Sequence, residues 1–495
     1  MVRKTKNPPW QPSPDDYQRL IHEQNEWHES GVVPEVYAPS VERTLAKELP
    51  QRLLRGFPDR FQLVLGPRRV GKTTVMYQTV RSLLGTGGIA PERIWWFRLD
   101  HPLLMHVHLG DLVRFVVQSS RASVEEPAFV FLDELAYADD WDLWLKTFYD
   151  ERWPIRVIGS SSSTAILRKR RMESGVGRWE EQFLTPYLLN EYFDLIGKSE
   201  PVPCSATLPE TIEASVERAM SLKTAPEERD RFMFTGGFPE LLVALKDRDL
   251  DDSARLLESQ RTLRNDAIER AVYKDIPQAF NIDMPQTLER LLYVLAEQVT
   301  GVLSPSILCQ TIDRLSQPTL DRYISYLEKA FLVFTLQNYA PTESSRQRRG
   351  RKVYFLDCAV RNAALQRGLA PLSDPRERGV LYENLAAAHL YALGLQSQVR
   401  VYHWRDGAIE VDLIYDHPER PLAFEIASST SHARRSLSEF RRRFPRFANG
   451  CFLVAPGAPA ISPPASSGGI GSLPLDLFLL AVGAQAEHAL LARLV

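Results

Sequence analysis

Cysteine is scarce in this chain. The four residues, Cys204, Cys309, Cys358 and Cys451, are scattered through 495 positions, with no pair at metal-ligand spacing. That excludes a disulfide framework or a zinc knuckle and leads one to expect free thiols in a reducing compartment, the cytoplasm. Net charge is nearly absent too: 60 Lys and Arg stand against 62 Asp and Glu, a formal −2, so bulk charge selects no partner. Long apolar runs are missing. Leu475 to Val482 comes nearest and is too short for a membrane span. Met1 to Asp16 is polar and proline-rich, without the apolar core of a secretion signal. The expectation is therefore no membrane. What remains, 44% hydrophobic and 25% charged residues, is ordinary for globular domains, and the length suggests about three or four of them.

The stretch Gly66-Pro67-Arg68-Arg69-Val70-Gly71-Lys72-Thr73-Thr74 fits the phosphate-binding pattern G-x-x-x-x-G-K-[ST]. Its flanks fit as well. Phe61 to Leu65 reads as a buried strand, and Thr74 to Leu84 reads as a helix with Val75, Thr79 and Leu83 at helical spacing. In that context the glycines let backbone N–H groups turn inward around phosphates, and the helix directs its positive end at them. Lys72 can reach the β- and γ-phosphates of ATP, and the Thr73 hydroxyl can take a place on Mg²⁺.

Two carboxylates follow a second apolar strand, Ala128 to Leu132. Asp133 is the candidate to hold Mg²⁺ through its water shell, and Glu134 to orient and deprotonate the attacking water. A third strand, Arg156 to Gly159, runs into Ser160-Ser161-Ser162-Ser163. Ser160 is the first choice for a side chain that senses the γ-phosphate or the lytic water, ahead of Ser161 and Ser162; a serine-rich helix cap is the alternative. Arg178 can be an arginine finger, to its own site or a neighbour's, or a structural salt-bridge partner.

Along the chain, residues 1–45 read as an arm packing on an ATPase core. Residues 46–198 alternate strand-like (Gln62–Leu65, Ile94–Leu99, Ala128–Leu132, Arg156–Gly159) and helical patterns, as a parallel sheet with crossover helices requires. Residues 199–284 read as helical, interrupted by the turn Gly236-Gly237-Phe238-Pro239; with the family resemblance given below they would be a helical lid. Residues 285–345 give three helices and then Phe331-Leu332-Val333-Phe334, the order of a winged helix-turn-helix. Asn338 to Lys352 reads as a basic linker, and residues 346–495 as a second α/β domain. Basic residues cluster at 168–171, 346–352 and 441–443; each is a solvated face or a nucleic-acid contact.

Taken in order, the phosphate loop, Phe131-Leu132-Asp133-Glu134, Gly159-Ser160-Ser161, Gly177-Arg178 and Gly236-Gly237-Phe238-Pro239-Glu240 resemble a bacterial and archaeal AAA-type P-loop ATPase family. Its members carry a tail similar to Tyr354-Phe355-Leu356-Asp357, Glu383-Asn384 and Glu410-Val411-Asp412. The resemblance spans about residues 46 to 480 and implies ATP binding and hydrolysis, a helical lid, a winged helix and a C-terminal domain like the PD-(D/E)xK nucleases. In that fold Glu383, Asp412 and Glu425 would converge on Mg²⁺. The resemblance breaks at Ala427, where a lysine should stand; the next basic residues in sequence are Arg434 and Arg435. A degenerate nuclease fold is therefore expected. The third helix of the winged unit offers Gln317, Thr319, Arg322 and Tyr323 to a DNA groove. Three functions result: an ATP-driven switch or motor acting on DNA, an ATP-gated DNA nuclease, or a scaffold ATPase with a protein partner. Homo-oligomers through the ATPase domain are a further expectation.

Overall fold

The computed structural model describes residues 13–492 apart from 56–59, 106, 163–176, 200, 219–225, 247–250, 281, 283, 313, 348–349, 432–433 and 463–468. The basic run at 168–171, Ser163 and much of 346–349 lie outside the described residues or side chains.

Five strands, β1 (Phe61–Leu65), β2 (Ile94–Arg98), β3 (Ala128–Asp133), β4 (Ile155–Ser161) and β5 (Trp179–Phe183), form a parallel sheet in the order β2-β3-β4-β1-β5. Four of them are runs of apolar residues buried on both faces, as a helix-covered parallel sheet demands. β5, Trp-Glu-Glu-Gln-Phe, has no such run; it is an edge strand in which only Trp179 and Gln182 are buried. The strand order separates β1 from β3 and inserts β4 between them, so the ends of β1, β4 and β3 lie side by side.

The arm does pack on this core. The Asn25 side chain accepts from the Trp96 N–H (2.6 Å) and donates to the Trp96 carbonyl (3.1 Å), and the Trp27 indole donates to Ile94. Asn25 thus satisfies the edge of β2 that would otherwise be open to another strand. Arg43 grips Glu191 with two hydrogen bonds (2.7 and 2.9 Å) and also donates to the Thr185 and Val70 carbonyls, bracing the phosphate loop from outside.

Helices Leu208–Arg218, Pro226–Thr235, Pro239–Lys246 and Asp252–Leu263 follow, and then two π-helical segments, Arg264–Glu269 and Ala271–Asp275. The turn Gly236-Gly237 joins three parts of the chain. The Tyr187 N–H donates to the Gly237 carbonyl (2.7 Å), and the Gly237 N–H donates to Asp357 (2.7 Å). A Cβ at Gly237 would overlap the Tyr187 backbone, so glycine is required there.

Three helices (Pro285–Glu297, Pro305–Thr311, Gln317–Lys329) precede an antiparallel hairpin of β6 (Val333–Gln337) and β7 (Arg351–Phe355), with Phe334 opposite Tyr354. The boundary expected at 345 therefore cuts the hairpin, and the stretch read as a linker contains the helix Glu343–Gln347 and the first two residues of β7. The basic character of 346–352 hid a strand whose last four residues are buried. The long helix Pro375–Ser397 then leads into a mixed sheet, β12-β11-β10-β9-β8, from β8 (Val401–Asp406), β9 (Ile409–Tyr415), β10 (Leu422–Ile426), β11 (Cys451–Ala455) and β12 (Gly471–Pro474).

The closing helix, Leu475–Ala492, corrects the reading of Leu475–Val482 as too short. By length and composition it could cross a membrane, but 67% of it is buried within the protein, beside the long helix 375–397. One apolar core runs through Leu189, Phe232, Phe334, Leu385, Phe424 and Phe478. The helices before and after residue 226, the hairpin, the C-terminal sheet and the closing helix thus share a single interior.

Candidate functional site

The phosphate loop lies where β1 ends and the helix Lys72–Leu84 begins. Gly71 adopts the left-handed conformation (φ 90°) that turns the chain into that helix, and a Cβ at Gly66 would overlap the Leu184 carbonyl. Lys72 is 6% exposed, and its ammonium donates to the Gly66 (3.0 Å) and Pro67 (2.8 Å) carbonyls. Burial pushes its pKa down. Thr73 Oγ1 lies 3.0 Å from Asp133 Oδ2. A hydroxyl and a carboxylate brought together beside a phosphate loop are the hard oxygens that suit Mg²⁺, so the residues fit that ion. The cleft beside them, about 740 Å³, is lined by Arg68, Lys72, Thr73, Glu134, Tyr187 and Pro239 among others.

Glu134 follows β3 with φ 54°, a conformation uncommon for a non-glycine residue and frequent at functional sites. Two serines hold this turn. Ser160 Oγ donates to Asp133 Oδ1 (2.5 Å) and accepts from the Glu134 N–H (3.0 Å). Ser162 meets the Glu134 carboxylate through its hydroxyl (3.1 Å) and its N–H (3.3 Å). The sequence reading ranked Ser162 behind Ser160; in the structure they divide the task, one on each carboxylate. Burial, and then the Glu134 charge, pushes Asp133 up to about 6.

Arg178 lies elsewhere. It immediately precedes β5, whose first residue pairs with the first residue of β1, so it stands a strand length, roughly 15 Å, from the phosphate loop. There it grips Asp150 at 2.7 and 3.0 Å. As a finger to its own site this position fails, and only the neighbouring-copy form of that expectation is left.

Arg68 and Arg69, variable positions of the phosphate pattern, gain partners that the sequence could not indicate. Arg68 makes two hydrogen bonds to Asp275 (2.9 and 2.8 Å), and Arg69 pairs with Glu240 and with Asp266 (2.6 Å). Both aspartates belong to the π-helical segments, a distortion often found at functional sites. The hydrogen bonds to Asp275 raise the Arg68 pKa.

In the C-terminal unit, Glu383 on the long helix, Asp412 on β9 and Glu425 on β10 do come to one region, as the resemblance implied. A cation already stands among them. The Lys352 ammonium donates to Glu383 (2.9 Å) and Asp412 (3.3 Å) and pairs with Glu410. Among the described residues no group of three or more His, Cys, Asp or Glu is arranged to hold a metal ion. Burial, and then the Asp412 charge, pushes Glu425 up to about 8.

A proton on Glu425 has a thermodynamic consequence. Between its unfolded value near 4.5 and its folded value near 8, the folded state binds more proton, so stability falls as pH rises across that window. Glu425→Gln should remove on the order of 2 kcal/mol of that fall between pH 5 and 8. Thermal midpoints of both proteins at the two pH values test this. Parallel pH profiles would refute it.

The third helix of the three-helix unit exposes Gln317 and Arg322, and Thr319 and Tyr323 are half-buried. Basic residues of the runs 346–352 and 441–443 are partly neutralised within the chain: Arg351 pairs with Asp321, Arg442 with Glu439 and Arg443 with Asp406.

Three stretches of the chain match known families. Residues 59–193 match an AAA domain. Residues 226–370 and 378–462 match two domains of unknown function, DUF8612 and DUF4143. The chain is similar to two uncharacterized proteins of Methanocaldococcus jannaschii. One is 25% identical over 395 residues, covering 78% of this chain and 79% of the relative; the other is 21% identical over 361 residues, covering 72% of each. Among solved structures it is similar to the Walker-type ATPase of Pyrococcus abyssi (14% identity, TM-score 0.41, 66% of this chain and 98% of that one). It is also similar to the Aeropyrum pernix Orc1 protein in complex with DNA (14% identity, TM-score 0.31, 70% and 98%). The AAA match over residues 59–193, the phosphate loop at the end of β1 and the Asp133-Glu134 pair at the end of β3 together identify residues 59–193 as a P-loop ATPase domain of the AAA type.

Proposed function

We propose that this chain is an ATP-hydrolysing switch whose nucleotide state is passed from the phosphate loop to the lid and onward to a DNA-engaging C-terminal half. The observation that carries this reading is the pairing of Arg68 and Arg69 with Asp275, Asp266 and Glu240. A bound triphosphate sets several negative charges beside the same loop and competes for both guanidinium groups. The lid carboxylates then lose partners or follow them, and either outcome moves the lid.

Hydrolysis is assigned to the residues already assembled. Lys72 turns from the loop carbonyls to the β- and γ-phosphates. Glu134, steadied by Ser162, orients the water and takes its proton, and Ser160 links the Asp133 and Glu134 positions so that both respond to the γ-phosphate. Thr73 and Asp133 would hold Mg²⁺, which would supply charge neutralisation on the phosphates. The helix 317–329, followed by the β6–β7 hairpin, supports a winged-helix reading and DNA as the load. Ala427 and the seat of Lys352 speak against cleavage.

Hydrogen exchange on the full-length Glu134→Gln protein, with and without ATP, tests the switch. ATP should change protection across residues 226–297, and the added change Arg68→Ala should abolish that response while nucleotide still binds. A lid indifferent to ATP would end this reading. Duplex DNA titrated into the same samples at 50 and 200 mM salt should bind more weakly at the higher salt; no binding at either would leave a protein as the load.

A further inference from the structure

Ala427 removes the lysine from its expected place, yet the carboxylates of the C-terminal sheet are supplied with a cation from another part of the chain. We infer that Lys352 is the resident cation of this cluster: it excludes divalent metal from Glu383, Asp412 and Glu410 and pins the β6–β7 hairpin to the C-terminal sheet.

Burying an ammonium group costs several kcal/mol unless charges and hydrogen bonds repay it. Here the Lys352 side chain is 2% exposed, and its three carboxylate partners come from two elements: Glu383 from the long helix, Glu410 and Asp412 from β9. Glu383 Oε1, which accepts from Lys352, also accepts from the Tyr354 hydroxyl (2.9 Å). Of the second oxygens, Asp412 Oδ2 accepts from the Ile426 N–H (2.9 Å) and Glu410 Oε2 lies 3.7 Å from Arg405. A divalent ion would have to compete with the ammonium for the same oxygens, Glu383 Oε1, Glu410 Oε1 and Asp412 Oδ1, against the repulsion of its charge.

Lys352 cannot simply swing away. Its backbone pairs with Leu336 in the hairpin and bridges to Val302, which keeps the side chain on the strand face toward the carboxylates while β7 stays docked. Metal occupancy and a docked hairpin are therefore alternatives.

Mn²⁺ uptake by nucleotide-free, full-length protein, read by electron paramagnetic resonance, tests the inference. Wild type and Lys352→Arg should take up no ion at the cluster. Lys352→Met should take up one per chain, and Asp412→Asn added to Lys352→Met should abolish that uptake. Wild-type uptake that disappears in Asp412→Asn overturns the inference, as does a folded Lys352→Met protein that takes up none. If Lys352→Met fails to fold, the wild type and Asp412→Asn decide alone: uptake lost on substitution refutes the inference, and none in either upholds it.

Discussion

Glu134→Gln is expected to keep ATP bound and to slow its hydrolysis by about 10²–10⁴-fold, the usual contribution of a positioned general base. The substitution keeps the shape of the side chain. A glutamine carbonyl can still accept from the Ser162 hydroxyl and N–H, and the left-handed turn after β3 is held through the backbone N–H of residue 134 by Ser160. What is lost is the capacity to take a proton. Steady-state turnover and nucleotide affinity, measured on the same preparation, separate the two effects. Wild-type turnover in Glu134→Gln would remove Glu134 from the role of base.

Lys72→Ala should act on binding instead. Its ammonium is buried and committed to two loop carbonyls, so the loop is preorganised around a positive charge before nucleotide arrives. Truncating a buried, hydrogen-bonded charge of this kind costs roughly 2–5 kcal/mol, or about 30- to 5,000-fold in the ATP dissociation constant. Titration with a fluorescent ATP analogue checks the loss, and an unchanged melting temperature would show that the fold is intact. Affinity within threefold of wild type would mean that Lys72 does not contact the phosphates.

The phosphate loop was legible in the sequence because its geometry dictates residue identity. Only glycine fits at Gly66 against Leu184, and Gly71 takes a positive φ. Asp133 and Glu134 were legible because a buried apolar strand delivers them. Position across the sheet was not. Ser160 was chosen from a row of serines, but the sharing of work with Ser162 depends on a backbone turn at Glu134 that no spacing encodes. Arg178 misled because its place at the start rather than the end of a strand follows from β5, whose Glu-Glu-Gln centre carries no strand signature. Lys352 was hidden in a basic stretch that resembles a linker, and its partners follow later in the chain on two different elements. The helix 475–492 was cut short because its apolar run pauses at Gly483-Ala484-Gln485, although the helix continues through them.

The continuous interior from Leu189 to Phe478 also bears on modularity. A piece ending after the ATPase sheet would leave the apolar faces of Leu189 and Tyr192 uncovered. A piece starting at the C-terminal half would expose the surfaces that Phe232 and Phe334 cover. The regions that match three separate families are thus not interchangeable cassettes. Recombination at their borders would yield sticky fragments, so the segments that share this interior are constrained to be inherited together.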